Sequence, residues 1–302
     1  MASNGPTLTF TEELPRMWWR ATREINADNG PGSFPSKEST AQVAKAIWLV
    51  ARRGSQVVGT CRGELASSQT AALFPPTLQK QESWTTGRLL LEILEEKLTR
   101  EGSPIRLLQA LTTSAQDVDA EVLKAAGFTA LGGVVHMTCR SDIPALPGKP
   151  CLELEPFVDS PTNWNRLERV YEQTCVGTRD FPELDLLSGI ELLKGYQSVG
   201  HFREELWQFA KLDGHDIGCL LVNELNEPEV CQLVYCGLIP AVRSRGLGKE
   251  LANLGERLAA RQGAKQLVLS VDKRNSPAIA AYQAAGFFIA DQRFLFVKQC
   301  AK

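Results

Sequence analysis

The sequence predicts an α/β (α+β) protein made of two copies of one domain. Three observations carry this: an ordered run of strands and helices in the C-terminal half, the same order in the N-terminal half, and a proline cluster between them. The registration is tight, because Gly246 and Gly87 are 159 residues apart, and so are Phe287 and Phe128. Both copies contain Ala-Ala-Gly-Phe, at 125–128 and 284–287, with no gap needed between the anchors. Repetition at this scale marks a duplicated domain rather than an array of short repeats. Pro144, Pro147, Pro150 and Pro156 remove donors and restrict their neighbours, so this stretch reads as a linker. The expected division is a first domain over 1–142, a Pro-rich linker over 143–150 and a second domain over 151–302.

In the C-terminal half, Asn163 to Cys175 and Glu183 to Tyr196 are helix-like, with Leu167, Val170 and Tyr171 on one face of the first. Glu205 to Leu212, Ile217 to Val222 and Val230 to Ile239 read as three strands. Asp213-Gly214 is a hairpin signal between the first two, and Asn226-Glu227-Pro228 turns into the third. A helix follows from Leu247 to about Arg261, with Leu247, Leu251, Leu254 and Leu258 as its apolar stripe and Gly263 as its stop. Leu267 to Val271 is a short buried strand. Ser276-Pro277 has the form of an N-cap and first turn, starting a helix through Ala285, and a strand near Phe294 to Val297 finishes the chain.

The N-terminal half repeats this order. Ile47 to Ala51 and Val57 to Glu64 are strand-like around Arg53-Gly54. A helix spans about Thr86 to Arg100, Ile105 to Thr112 is a strand, Asp119 to Ala126 is helical, and Val134 to Thr138 is the last strand.

Composition narrows the function classes. Lys and Arg total 33 against 35 for Asp and Glu, a net charge of −2, which gives no electrostatic case for nucleic acid. No apolar run approaches the roughly 18 residues that span a bilayer, and the N-terminus has no charged-then-apolar signal pattern. The expectation is a cytoplasmic protein without a membrane partner. The eight cysteines have no metal-ligand spacing, and the three histidines are scattered, so no metal is expected. Cys231 and Cys236 lie in an apolar strand-like run, as buried thiols do.

The densest signal is Arg243-Ser244-Arg245-Gly246-Leu247-Gly248, between an apolar strand and an amphipathic helix. A turn with so little side-chain bulk at a helix mouth presents bare N–H groups and the positive end of the helix dipole, a ready anion site.

This turn, within Leu238 to Gly248, and Asn275-Ser-Pro-Ala-Ile-Ala-Ala-Tyr-Gln-Ala-Ala-Gly-Phe287 resemble two motifs of the GNAT superfamily of N-acetyltransferases. The resemblance covers about Leu152 to Val297. The tandem layout is similar to mycothiol synthase and related double-domain members, where the C-terminal unit is the catalytic one. It implies two GNAT-like domains, each a mixed, mostly antiparallel sheet flanked by helices, with acetyl-CoA as cosubstrate and a small-molecule or peptide amine as acceptor. Backbone amides from Arg243 through Ser244, Arg245, Gly246, Leu247 and Gly248 to Lys249 would grip the pyrophosphate. Backbone groups around Leu238 and Ile239 would pair with pantetheine as an added strand. Asn275, which precedes the proposed cap Ser276, would hydrogen-bond the pantetheine arm. Tyr282 would protonate the departing thiolate as general acid. Ordinary pKa values of about 10 for a tyrosine and about 8.5 for a thiol show that this transfer needs help from the surroundings.

The base is less defined. The position that serves in mycothiol synthase holds Gln232, which cannot take a proton. Glu224 is the candidate, with Glu229, Tyr235 and a water chain open beside it. By the same resemblance the acceptor pocket is lined by the first two helices and Gly177 to Glu183, where Arg179 and Asp180 face a charged acceptor or are plain surface residues.

The N-terminal copy departs at these positions. Arg243 maps to Trp84, Gly248 to Leu89, Asn275 to Gln116 and Tyr282 to Leu123, and only Gly246 keeps a matching glycine, Gly87. That half is expected to keep the fold without competent catalysis. Beside N-acetyl transfer stands a second reading, a CoA- or acyl-CoA-binding pseudoenzyme or regulatory module. Aminoacyl or peptidyl transfer is disfavoured, because such relatives generally lack the signature turn.

Overall fold

The computed structural model describes residues 7–13, 17, 20–23, 25, 46–66, 69–141, 150–181 and 187–300. Most of the expected linker, 143–149, and residues 183–186 of the second expected helix lie outside these. The chain forms two compact units, Met1–Leu131 with Phe294–Lys302, and Gly132–Arg293.

The first unit holds strands β1 (Leu8–Glu12), β2 (Ala46–Arg53), β3 (Gln56–Leu65), β4 (Thr70–Leu78) and β5 (Leu107–Thr112), with helices α1 (Trp84–Leu98) and α2 (Val118–Ala125). Its strand order is β1-β2-β3-β4-β5, closed by Phe294–Gln299 of the last strand running antiparallel to β5. Among the described residues of this unit, β4 and β5 are the one parallel pair. Leu90, Leu91, Leu94 and Leu98 give α1 its buried face, packed with Leu49, Val58, Leu73 and Phe296.

β4 is absent from the sequence reading because it contains Pro75 and Pro76, which lack ladder donors. They are accommodated because the β3–β4 register slips between Thr60 and Arg62. Pairing with β5 also ends at Ala72, so neither neighbour requires an N–H there.

Before the α1 cap, Glu82 accepts a fork from Arg53 at 3.0 and 2.9 Å and further bonds from Thr86 Oγ1 and Ser83 N. The Arg53 hydrogen bonds are the main cause holding its carboxyl down to about 2. A carboxyl depressed in the folded state contributes stability above its unfolded pKa, lost as pH falls through the folded value. Glu82→Gln is expected to lower the urea midpoint at pH 7, with the difference from wild type closing between about pH 4.5 and pH 2.

The second unit holds most of β6 (Thr129–Arg140), then β7 (Glu153–Pro156), α3 (Pro161–Cys175), α4 (Gly189–Gln197), β8 (Trp207–Leu212), β9 (His215–Glu224), β10 (Val230–Leu238), α5 (Leu247–Arg261), β11 (Gln266–Asp272) and α6 (Ser276–Ala284). β12 (Phe288–Gln299) follows. The order is β6-β11-β10-β9-β8-β7, antiparallel except between β10 and β11. Each unit is therefore a mixed, mostly antiparallel sheet with helices, as the sequence predicts.

α5 buries Leu247, Leu251, Leu254 and Leu258 against β9, β10 and β11. The aromatic side chains of Phe157, Trp164, Tyr171, Trp207 and Phe209 fill a separate core with α3. Gly218 is obligatory, since a Cβ there would run into the Gly237 carbonyl oxygen on β10. Among the described residues, no helix is long and apolar enough to cross a membrane.

Candidate active site

The parallel pairing of β10 with β11 lasts only from Val230↔Gln266 to Gln232↔Val268. β10 then continues beside β9 alone as far as Leu238↔Gly218, with a register slip between Leu233 and Tyr235. The backbone edge of β10 that faces away from β9 is left without a strand partner. A cavity of about 750 Å³ occupies this parting, with Leu233–Leu238 on one wall and Leu269, Ser270 and Val271 on the other. The loop after α3, the start of α5 and one face of α6 complete it.

At one end of the cavity the signature turn enters α5. Ser244 and Gly246 have positive φ, 61° and 79°, and Gly246 is the helix N-cap with no side-chain cap bond. The first N–H groups of α5 thus lack intrahelical or side-chain acceptors, as an anion site needs. Arg243 does not reach outward: its Nε donates to the Leu238 carbonyl at 2.9 Å and its Nη2 to the Thr174 carbonyl at 2.7 Å. The guanidinium fastens the turn to β10 and to α3. Leu238, Arg243, Ser244, Gly246, Gly248, Lys249, Asn275 and Tyr282 all line the cavity; Ile239, Arg245 and Leu247 do not. Leu247 packs in the core, and Ile239 donates its N–H to Ile217. A Cβ on Gly248 would meet only the Ala281 methyl, at 3.4 Å, so this glycine leaves a bare cradle beside α6.

Tyr282 is buried and stacks at a tilt on Phe287 with centroids 5.7 Å apart, and it lines the cavity together with Cys236 of β10. Burial raises its pKa well above the usual tyrosine value, so it stays protonated. Burial likewise pushes the Cys236 thiol up to about 12, which leaves it un-ionised. Asn275 needs a correction. It is itself the N-cap of α6, its side chain accepting from Ala278 N at 3.4 Å, and Ser276 and Pro277 occupy the first turn. The Asp272 carbonyl receives the Asn275 N–H and tightens the turn, which shifts the cap one residue ahead of the Ser-Pro signal.

The candidate base also needs correction. Glu224 ends β9, opposite Cys231, at the end of the hairpin where β10 and β11 are still paired. Its carboxylate lies 3.7 Å from Arg203 and does not line the cavity. Glu229 pairs with Lys265 at 2.7 Å. Tyr235 does line the cavity, but its hydroxyl is bonded to Thr174 Oγ1 at 2.7 Å and burial raises its pKa. Thr174, Arg179, Asp180 and Tyr196 bring the end of α3, the loop after it and α4 to the same space. Among the described residues, no cluster of His, Cys, Asp and Glu is arranged to hold a metal ion.

Residues 164–287 match the acetyltransferase (GNAT) family. A mycothiol acetyltransferase from Corynebacterium glutamicum (strain R) is 35% identical over 86 residues, 28% of this chain and 30% of the relative. The chain thus aligns with under a third of the length of that curated relative. A GCN5-related N-acetyltransferase from Sphaerobacter thermophilus superposes over 97% of this chain and 95% of its own, with TM-score 0.64 and 18% identity. A tandem GNAT protein from the clavulanic acid biosynthesis pathway covers 98% and 99%, with TM-score 0.55 and 17% identity. Both likenesses establish the fold along nearly the whole chain, two GNAT-like units in tandem.

The two GNAT-like units diverge at the helix mouth. In the first, α1 begins at Trp84, at the position equivalent to Arg243, so the place of the signature turn is taken by a helical turn. Ser83 caps it, accepting from Thr85 N at 3.2 Å. Gly87 is walled in, since a Cβ would lie 3.2 Å from both Leu78 and Val122. The first unit has neither the loop nor the uncapped donors of the second.

Proposed function

We propose that the second unit transfers an acetyl group from acetyl-CoA to a primary amine of a small molecule or peptide, by direct attack on the thioester. One observation carries the reading: an uncapped helix mouth, an unpaired strand edge and a buried, protonated Tyr282 all open on one cavity. The first supplies donors for a pyrophosphate, and the second an edge for the amide groups of pantetheine. The donor supplies a thioester whose sulfur leaves as a thiolate. Gly246 and Gly248 admit the phosphates, Leu238 and Asn275 lie along the arm, and Tyr282 gives the sulfur its proton. The first unit is read as a fold partner without turnover.

Release of free thiol from acetyl-CoA in the presence of an amine panel tests the reading. Tyr282→Phe is expected to lower kcat by about 100-fold, in the usual range for a lost proton donor. Unchanged turnover would remove Tyr282 from the role. A second reading, donor binding without turnover, is favoured by Gln232 and by the position of Glu224 outside the cavity. Acetyl-CoA stabilising the protein with no thiol release from any amine would select it.

A further inference from the structure

We propose that Asp180 accepts the proton of the attacking amine: its carboxyl opens into the donor cavity from the loop after α3 and is fixed there by the backbone N–H of Asp272. The inference rests on the acetyltransferase reading above. Among the described residues lining the cavity, Asp180 is the only carboxylate. Its Oδ1 accepts the Asp272 N–H at 2.7 Å, while its Oδ2 has no hydrogen bond to a described residue. One oxygen is held and the other is left for a ligand.

The loop carrying Asp180 is clasped from both sides. Asp272, wholly buried at the end of β11, accepts the Phe181 N–H at 3.1 Å and is ion-paired with Arg274 at 2.6 Å. The Arg274 guanidinium also lies 5.9 Å from the Phe181 ring centroid. Phe181 has φ 41°, a left-handed conformation costly for a non-glycine residue and kept because the clasp demands it. The same β11–α6 turn holds Asn275, so the acceptor loop and the donor wall share one anchor.

Asp180 shares the cavity lining with Tyr282 and Tyr196, and its charge raises the proton affinity of both hydroxyls. Asp180 keeps an exposed edge, and the desolvation of its inner side by the surrounding residues raises its proton affinity above that of an ordinary carboxyl; the Asp272 N–H and Arg274 oppose this and the Asp272 charge adds to it. A carboxylate here attracts an ammonium and takes one of its protons. The freed amine forms the N–C bond, the C–S bond breaks with its electron pair on sulfur, and Tyr282 protonates that sulfur. The second proton lost from nitrogen restores Tyr282, and the proton on Asp180 passes to solvent, so the acetyl amide and a free thiol are the balanced products.

Asp180→Asn keeps the oxygen that accepts the Asp272 N–H but cannot take a proton. It is expected to lower kcat/KM for the amine by about 100- to 1000-fold. It should also abolish the acid limb of the pH profile and leave the thermal shift with acetyl-CoA intact. The groups that act on Asp180 or share its cavity are Arg179 on its own loop, Tyr196 of α4, Tyr235 of β10, Asp272 and Arg274 of the β11–α6 turn, and Tyr282 of α6. Formate should partly restore turnover to Asp180→Ala. The inference is overturned if Asp180→Asn retains activity within about threefold with the same acid limb, or if its loss is matched by an equal loss of acetyl-CoA binding. A wild-type protein that binds acetyl-CoA and acetylates no amine would remove the underlying reading, and this inference with it.

Discussion

On the proposed function, acetyl-CoA is expected to stabilise this protein and Gly248→Glu to eliminate that gain, while the free protein melts within about 2 °C of wild type. The fold tolerates the change because a Cβ at Gly248 meets only the Ala281 methyl, and the backbone there is ordinary helix. A carboxylate in the first turn also interacts favourably with the helix dipole, by roughly 0.3–1 kcal/mol. The ligand does not tolerate it, because the same carboxylate occupies the mouth of α5 and repels the phosphates. Wild-type protein at 100 times the dissociation constant should gain about 2.7 kcal/mol from the donor, and the variant close to none. A full shift in Gly248→Glu would place the donor elsewhere.

Asp272→Ala is expected to destabilise the second unit by about 3 kcal/mol and to raise KM for the amine well above that for acetyl-CoA. Asp272 is completely buried, and its carboxylate accepts from the N–H groups of Phe181 and Arg274 and from the Arg274 guanidinium. Hydrogen bonds to a charged group contribute about 1.5–3 kcal/mol each, and the two orphaned N–H groups add a desolvation cost. Arg274, half exposed, can turn to water, which caps the loss. Chemical denaturation at pH 7 reads the first effect and separate titrations of the two substrates the second. Equal changes in both KM values would show that the clasp orders the whole cavity rather than the acceptor loop.

Most helices and strands of the second half were legible because their signals are local, although β7 lies in the proline-rich stretch read as linker and α4 starts at Gly189 rather than Glu183. The leucines of α5 recur at helical spacing, and Gly246 and Gly263 mark its ends. β4 was not legible, because Pro75 and Pro76 argue against a strand unless the register slip that shelters them is known. The cap of α6 was displaced by one residue for a similar reason. Ser276-Pro277 has the correct local pattern, but the tight turn from Asp272 gives the capping position to Asn275. The cavity-lining residues of the donor site were mostly visible in two motifs. The proposed proton acceptor was not, since Glu224 is near β10 in sequence but sits where β10 and β11 remain paired. Asp180 is held at the cavity through contacts with Asp272, about 92 residues away in sequence, which no local pattern announces.

The assignment of Phe294–Lys302 to the first unit bears on how the chain is made. The partner of Thr112 on β5 is Phe294, so the first unit, although translated first, is the last to be completed. Its closing pair has a very long sequence separation, the kind of contact that slows folding. Residues Val134–Arg140 in turn belong with β11. A cut at the proline cluster would therefore separate β5 from its last strand in one fragment and β11 from β6 in the other. Each fragment would carry a bare sheet edge, open to pairing with another chain.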